Sequence, residues 1–132
     1  MFLLLLHRMH FSPALPSLLT KSAFWLCAVV VAVLSLLPVA YLPPQSFDIW
    51  DKAQHTGGFA VLTLLGHFAY PRHLWRVCLG LIAYGATIEL AQSATGWRHG
   101  DGLDLLADGL GIAGGTALLT AVRGIGMARS RQ

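Results

Sequence analysis

The stretch ELAQSATGWRHGDGLDLLADGLG, residues 89–111, places carboxylates on both sides of a short polar loop that joins two apolar segments. Glu89 lies inside the first apolar segment, and Asp104 and Asp108 lie inside the second. Burying a carboxylate near lipid costs several kcal/mol of free energy unless the group is paired, protonated or hydrated. A chain that keeps acids at this depth is expected to use them there.

The composition predicts an integral membrane protein of one domain. Of the 132 residues, 55% are hydrophobic and only 11% are charged, whereas a soluble domain carries about 25% charged residues. The net charge of +3 does not indicate a nucleic-acid partner, because the arginines are scattered at the ends of apolar segments and form no basic face. The lipid bilayer is therefore the predicted surrounding.

Four segments of about 20 mostly apolar residues predict an all-α, polytopic membrane protein, a bundle of four transmembrane helices. They cover residues 23–42, 51–69, 74–94 and 101–122. We divide the chain into a short N-terminal segment (1–21), the four-helix transmembrane domain (22–123) and a basic cytoplasmic tail (124–132). Met9 is an alternative start. A cleaved signal is the less favoured interpretation of the first span, because the sequence after it is a poor cleavage site.

The distribution of Lys and Arg predicts the orientation, because these residues are retained on the cytoplasmic side. Four crossings put seven of them on one side and only Lys52 and Arg98 on the other. Both termini are therefore expected in the cytoplasm of a cell with the protein in its inner membrane. All six carboxylates then lie at the outer side. The seven cytoplasmic residues are Arg8, Lys21, Arg72, Arg76, Arg123, Arg129 and Arg131.

Three predicted helices present polar residues at the same depth. Residues 51, 55 and 59 share one face of the second helix, residues 89 and 92 share one face of the third, and residues 101, 104 and 108 form one stripe on the fourth. Convergence in the bundle interior keeps them out of lipid. The predicted ligand-binding residues are Asp51, Lys52, His55, Glu89, Gln92, Arg98, Asp101, Asp104 and Asp108.

The charges at this side do not balance. Six acids face two fixed bases. A solvated Asp48, an N-cap role for Asp101 and a first-turn position for Asp104 account for three acids. Glu89 or Asp108, deepest in their spans, is then protonated or completed by a cation or polar ligand. We predict no metal and no cofactor, because one histidine among carboxylates is not a zinc pattern, although hard divalent cations accept carboxylate ligands.

Small residues on the fourth span predict close helix packing. Ala107, Gly111 and Gly115 recur at intervals of four, and small residues let helix backbones approach each other. We interpret this face as packing within the bundle. A homo-oligomer that forms through Gly111 and Gly115 is the alternative.

The order and spacing of these residues resemble the VanZ-like family of small bacterial membrane proteins. The resemblance rests on Asp51-Lys52-x-x-His55-x-x-x-Phe59, Glu89-x-x-Gln92 and Arg98-x-x-Asp101-x-x-Asp104-x-x-x-Asp108-x-x-Gly111. It covers about half of the chain, and the family usually has Asn where Asp108 stands. The resemblance implies a four-helix bacterial membrane protein. Because the family takes its name from a member linked to teicoplanin resistance, it also implies a connection with the cell envelope or a glycopeptide-type ligand.

Three kinds of function are compatible with this pattern. The favoured one is binding of an envelope component or another amphipathic molecule, with Lys52 and Arg98 holding an anionic group. The second is a membrane enzyme that uses Glu89 and His55, the candidate catalytic residues, for acid–base chemistry on a lipid-linked substrate. The third is a proton-coupled transport component or a purely structural membrane protein, in which the polar residues only connect helices.

The predicted orientation can be checked by labelling in intact spheroplasts. In a variant that lacks Cys27 and Cys78, a cysteine at Ser46 or Gly100 should react with an impermeant thiol reagent, because both positions are expected outside. A cysteine at Ser130 should react only after lysis. Labelling of position 130 alone in intact cells would reverse the topology and place the acidic residues in the cytoplasm.

Overall fold

The computed structural model describes residues 14–41 and 47–129, and within these ranges the chain is all-α. The helices are α1 (Ala14–Leu36), α2 (Phe47–Ala69), α3 (Leu74–Thr95) and α4 (Gly102–Arg129), and one 3-10 turn covers Val39–Tyr41. The predicted all-α class, with four long helices, is confirmed for this part of the chain. The alternative start at Met9 lies outside the described residues.

The helix boundaries differ from the predicted spans at both ends of the chain. Helix α1 begins at Ala14 and ends at Leu36, so the predicted boundary at residue 22 falls inside it. Its early end has a local cause, because Pro38 disfavours the helical conformation of the residue before it. The second helix ends at Ala69, where the predicted second span ends. Helix α4 continues through most of the predicted tail to Arg129.

Three of the four helices are long and apolar enough to cross a membrane: Ser17–Leu36, Leu74–Thr95 and Gly102–Val122. Helix α2 is equally long but is not among them. Its first half carries Asp51, Lys52, Gln54 and His55, and these residues lower its overall hydrophobicity. A helix of this composition needs neighbours that shield its polar face from lipid.

Helix α2 occupies the centre of the bundle, where it packs against all three other helices. Its side chains Phe59, Leu62 and Thr63 are completely buried. Successive helices run antiparallel, so the start of α2 lies at the same end of the bundle as the end of α3 and the start of α4. At the opposite end Trp25 Nε1 donates a hydrogen bond to the Tyr70 hydroxyl (3.1 Å) and joins α1 to the turn after α2.

The distribution of polarity is the reverse of that in a soluble protein. Large apolar side chains such as Trp25 and Leu106, each 60% exposed, cover the outside of the bundle. Polar side chains such as His55 (3% exposed) and Gln92 (1%) are buried inside. Apolar side chains gain little from burial when the surroundings are lipid, so close packing and interhelical hydrogen bonds hold such a bundle together.

Glycines allow α2 and α4 to approach each other closely. A Cβ atom at Gly111 would collide with the carbonyl oxygen of Thr56, and one at Gly115 would lie 3.0 Å from the carbonyl oxygen of Ala60. One turn away, the Thr56 hydroxyl donates to the carbonyl oxygen of Ala107 (3.2 Å). The small-residue face of α4 therefore packs against α2 of the same chain. A homo-oligomer through Gly111 and Gly115 would need a face that α2 already covers.

A matched pair of glycine substitutions tests this helix contact. Gly111→Leu should lower the thermal stability in detergent, because its side chain would overlap the α2 backbone, at a cost of about 1–3 kcal/mol. Gly114→Leu is the control, since a Cβ at this position meets open space. Both variants replace glycine by leucine within the same helix, so they gain the same helix propensity. Equal aggregation temperatures for the two variants would show that α4 does not pack on α2 through this face.

Candidate functional site

The polar site lies at the end of the bundle where α1 and α3 end and α2 and α4 begin. All nine predicted site residues are brought together there. Each of them hydrogen-bonds or pairs with another residue of the site or with the end of α1. We refer to these nine residues, Asp51, Lys52, His55, Glu89, Gln92, Arg98, Asp101, Asp104 and Asp108, as the acidic layer.

The deepest pair of the acidic layer joins α2 to α4. His55 Nδ1 and Asp108 Oδ1 lie 2.8 Å apart, and both side chains are almost fully buried. The imidazole stacks nearly parallel on the Phe59 ring, at 6.4 Å between centroids, because residues four apart share one helix face. A carboxylate only accepts hydrogen bonds, so an ionised Asp108 requires the proton on Nδ1. The pair therefore fixes the orientation of the ring.

Glu89 links α3 to the start of α4. Its Oε2 accepts a hydrogen bond from the backbone N–H of Asp101 (2.7 Å), and its side chain is about nine-tenths buried. The Asp101 side chain in turn caps α4, because its Oδ1 accepts the N–H of Leu103 (2.9 Å). This bond, together with Lys52 nearby, lowers the pKa of Asp101 below its ordinary value. Glu89 and Asp101 thus set the position at which α4 begins.

The two fixed cations are paired with acids of the same layer. Lys52 Nζ lies 3.3 Å from Asp101 Oδ2 and 3.4 Å from Asp104 Oδ1. Arg98 Nη2 lies 3.6 Å from Asp51 Oδ1. Asp101 takes the predicted N-cap role and Asp104 lies in the first turn of α4, as predicted. The positive charges are therefore directed at residues 51, 101 and 104.

Arg98 and Gln92 also cap the end of α1. The carbonyl oxygen of Ser35 accepts hydrogen bonds from Gln92 Nε2 and from Arg98 Nε, both at 3.0 Å. Trp97 Nε1 donates to the neighbouring carbonyl of Leu36 (3.2 Å). The last carbonyls of a helix have no partner within it, and a cation there is favoured by the helix dipole. No feature of the sequence indicates this role, because the partner is a backbone group 63 positions from Arg98.

Several buried polar atoms of the layer have no hydrogen-bond partner in the described part of the chain. They are His55 Nε2, Glu89 Oε1, Gln92 Oε1, Asp104 Oδ1 and Asp108 Oδ2. Of these, Asp104 Oδ1 forms an ion pair with Lys52 Nζ at 3.4 Å. Buried polar groups in native structures are nearly always bonded to protein or ordered water. These atoms are therefore the positions in the layer at which water or a ligand can bind.

The space beside Asp108 depends on Gly85 of α3, one turn before Glu89. A Cβ at this position would collide with Asp108 Oδ2 and would lie 3.3 Å from Phe59. Gly85 was not among the predicted site residues. The only feature of the sequence that could indicate its role is an isolated glycine within a predicted helix. Helices tolerate such a glycine, and it often allows close packing against a neighbour.

Two sets of three potential metal ligands share His55. One set is His55, Glu89 and Asp108, and the other is Asp51, His55 and Asp104. In each set one ligand atom per residue lies within 4.8 Å of the other two. No metal site is predicted from the sequence, because one histidine among carboxylates is not a zinc pattern. The residues of the two sets come from three helices and converge only in the fold.

A cleft between α1 and α2 reaches the acidic layer from the side. Its volume is about 380 Å³. Polar groups line one end and apolar side chains line the other. The lining residues are Val31, Leu34, Ser35, Asp51, Gln54, His55, Gly57 and Gly58. Such a cleft can accept a molecule with a polar head and an apolar body.

Comparison of the chain with models of known protein families gave no match, and comparisons with curated proteins and with solved structures gave none either. The resemblance to VanZ-like proteins therefore rests on the residue pattern alone. The geometry of the site is the basis for any functional conclusion.

Proposed function

We propose that this protein is a four-span, VanZ-like protein of the bacterial inner membrane that binds an amphipathic envelope molecule at the outer end of its helix bundle. Three apolar helices and the largely apolar outer surface support a membrane location. Helix α2 serves as the fourth span because its neighbours cover its polar face. The excess of Lys and Arg at one end supports cytoplasmic termini.

The observation that carries the ligand proposal is the cleft between α1 and α2. Val31 and Leu34 line its apolar part, and Ser35, Asp51 and His55 line its polar part. Because α1 is largely exposed on its outer side, a molecule in the bilayer can enter between the two helices without crossing water. An acyl chain or another apolar group fits the first part, and a head group fits the second.

The charges of the cleft indicate the chemistry of the head group. The sequence pattern suggested that Lys52 and Arg98 hold an anion, but both already pair with carboxylates of the chain. The polar end offers the Gln54 amide and the Asp51 carboxylate, which pairs with Arg98 through Oδ1 and has Oδ2 as a second acceptor. These groups favour a head group with hydroxyl or amino donors. A sugar or an amine-bearing envelope lipid has such donors.

One observation favours an enzyme as the second candidate. A buried carboxylate orients the His55 ring through Nδ1 and leaves Nε2 without a partner. A histidine oriented in this way can act as a general base. Turnover of a lipid-linked substrate by the purified protein, with loss in His55→Gln, would favour the enzyme over a binding protein.

The ligand proposal is tested by mass spectrometry of the lipids that copurify with the protein. Gly58→Leu should fill the cleft, because a Cβ there already lies 3.2 Å from Val31 of α1. We expect the amount of a lipid that copurifies with the wild type to be at least about tenfold lower with Gly58→Leu, since a loss of 1.4 kcal/mol in binding free energy gives this factor. The control variant Gly114→Leu, on the open face of α4, should retain the lipid.

A second variant addresses the head group. Asp51→Asn keeps the shape of the side chain but removes its charge, so it should weaken binding of a head group that donates hydrogen bonds to the carboxylate. The same lipid profile in wild type, Gly58→Leu and Asp51→Asn would mean that the cleft holds no specific ligand.

A further inference from the structure

His55, Glu89 and Asp108 meet in the interior of the acidic layer. They come from α2, α3 and α4, and one potential ligand atom of each lies within 4.8 Å of the other two. A bound metal ion holds its ligands at about 2.0–2.2 Å, so neighbouring ligand atoms end about 3–4 Å apart. Small side-chain rotations would bring the three residues to this distance.

Each of these residues has a buried polar atom without a hydrogen-bond partner in the described part of the chain. The atoms are His55 Nε2, Glu89 Oε1 and Asp108 Oδ2. The side chains are 91% buried or more. The loss of hydration at three such atoms is costly unless something replaces the water. These atoms are an observation independent of the acidic composition of the layer.

The distribution of fixed charge distinguishes this trio from the neighbouring trio of Asp51, His55 and Asp104. Arg98 lies beside Asp51, and Lys52 lies beside Asp104. Among the described residues, no Lys or Arg forms a salt bridge with Glu89 or Asp108. Two carboxylates without a fixed cation match the charge of one divalent ion.

The ligand types indicate the class of metal. Carboxylate oxygens suit Mg²⁺, Ca²⁺ and Mn²⁺, whereas an imidazole nitrogen favours transition metals over Mg²⁺ and Ca²⁺. Mn²⁺ accepts both kinds of ligand. His55 also borders the cleft between α1 and α2, so an ion has a route to the trio.

We propose that His55, Glu89 and Asp108 form a binding site for a divalent transition-metal ion, with Mn²⁺ as the representative ion. The site lies beneath the cleft and does not depend on which amphipathic molecule the cleft binds. A metal ion bound there would explain why the acidic layer contains more carboxylates than Lys52 and Arg98 can neutralise.

The test measures Mn²⁺ binding to the purified full-length protein in detergent, after removal of metals with a chelator. Electron paramagnetic resonance reports free Mn²⁺ directly, and thermal unfolding reports stabilisation by the ion. We expect one Mn²⁺ per chain, competition by Zn²⁺, and little competition by Mg²⁺. Glu89→Gln and Asp108→Asn, which keep the side-chain shape, should each weaken binding at least about tenfold.

Two carboxylate variants outside the trio serve as matched controls. Asp101→Asn and Asp51→Asn remove one negative charge from the same layer and should keep Mn²⁺ binding within about threefold, a change of less than 1 kcal/mol. Size-exclusion chromatography establishes that each variant is folded. If Glu89→Gln does not yield folded protein, the comparison of Asp108→Asn with Asp101→Asn decides the result.

Three results would overturn the proposal. One is no binding by the wild type at about 1 mM Mn²⁺, the weak end of the affinities of protein sites for hard cations. Another is unchanged binding in both Glu89→Gln and Asp108→Asn. The third is loss of Mn²⁺ binding in Asp51→Asn while Glu89→Gln still binds the ion. This result would place the ion in the trio of Asp51, His55 and Asp104 instead.

Discussion

The close contact between α2 and α4 is the constraint on which the rest of the structure depends. Gly111 and Gly115 bring the α4 backbone against Thr56 and Ala60 of α2. His55 and Asp108 lie within one turn of this contact, and their 2.8 Å pair forms because the two backbones are so close. A side chain at Gly111 would separate the helices and leave a carboxylate alone in the bundle interior. Backbone packing and the buried charge pair are therefore one structural unit.

The acids of the acidic layer differ in whether a fixed cation lies beside them. Lys52 and Arg98 pair with Asp51, Asp101 and Asp104. Glu89 instead receives a backbone N–H, and Asp108 pairs with an imidazole. Neither interaction supplies a fixed positive charge. A buried charge that lacks such a partner lowers stability, so a functional reason for these two acids is more economical than a structural one.

The loop between α3 and α4 connects this layer to α1. Gln92, Trp97 and Arg98 donate hydrogen bonds to the last carbonyls of α1, which Pro38 leaves without helical partners. Arg98 thus holds α1 in place while it pairs with Asp51. Ser35 of α1 and Asp51 both line the cleft between α1 and α2, so the capped end of α1 borders the proposed ligand site.

The sequence alone determined the helical class and the nine residues of the acidic layer. It predicted four spans, and three of the four helices are long and apolar enough to cross a membrane. Hydrophobicity and helical periodicity are local properties, so they can be read along the chain. The sequence did not determine which residues cap the end of α1, which acid pairs with which base, or which polar atoms remain without hydrogen-bond partners. These features depend on the rotation and depth of each helix against residues 49 to 63 positions away. A rotation by one residue would exchange His55 for a neighbour, so only the tertiary structure could place His55, Glu89 and Asp108 together.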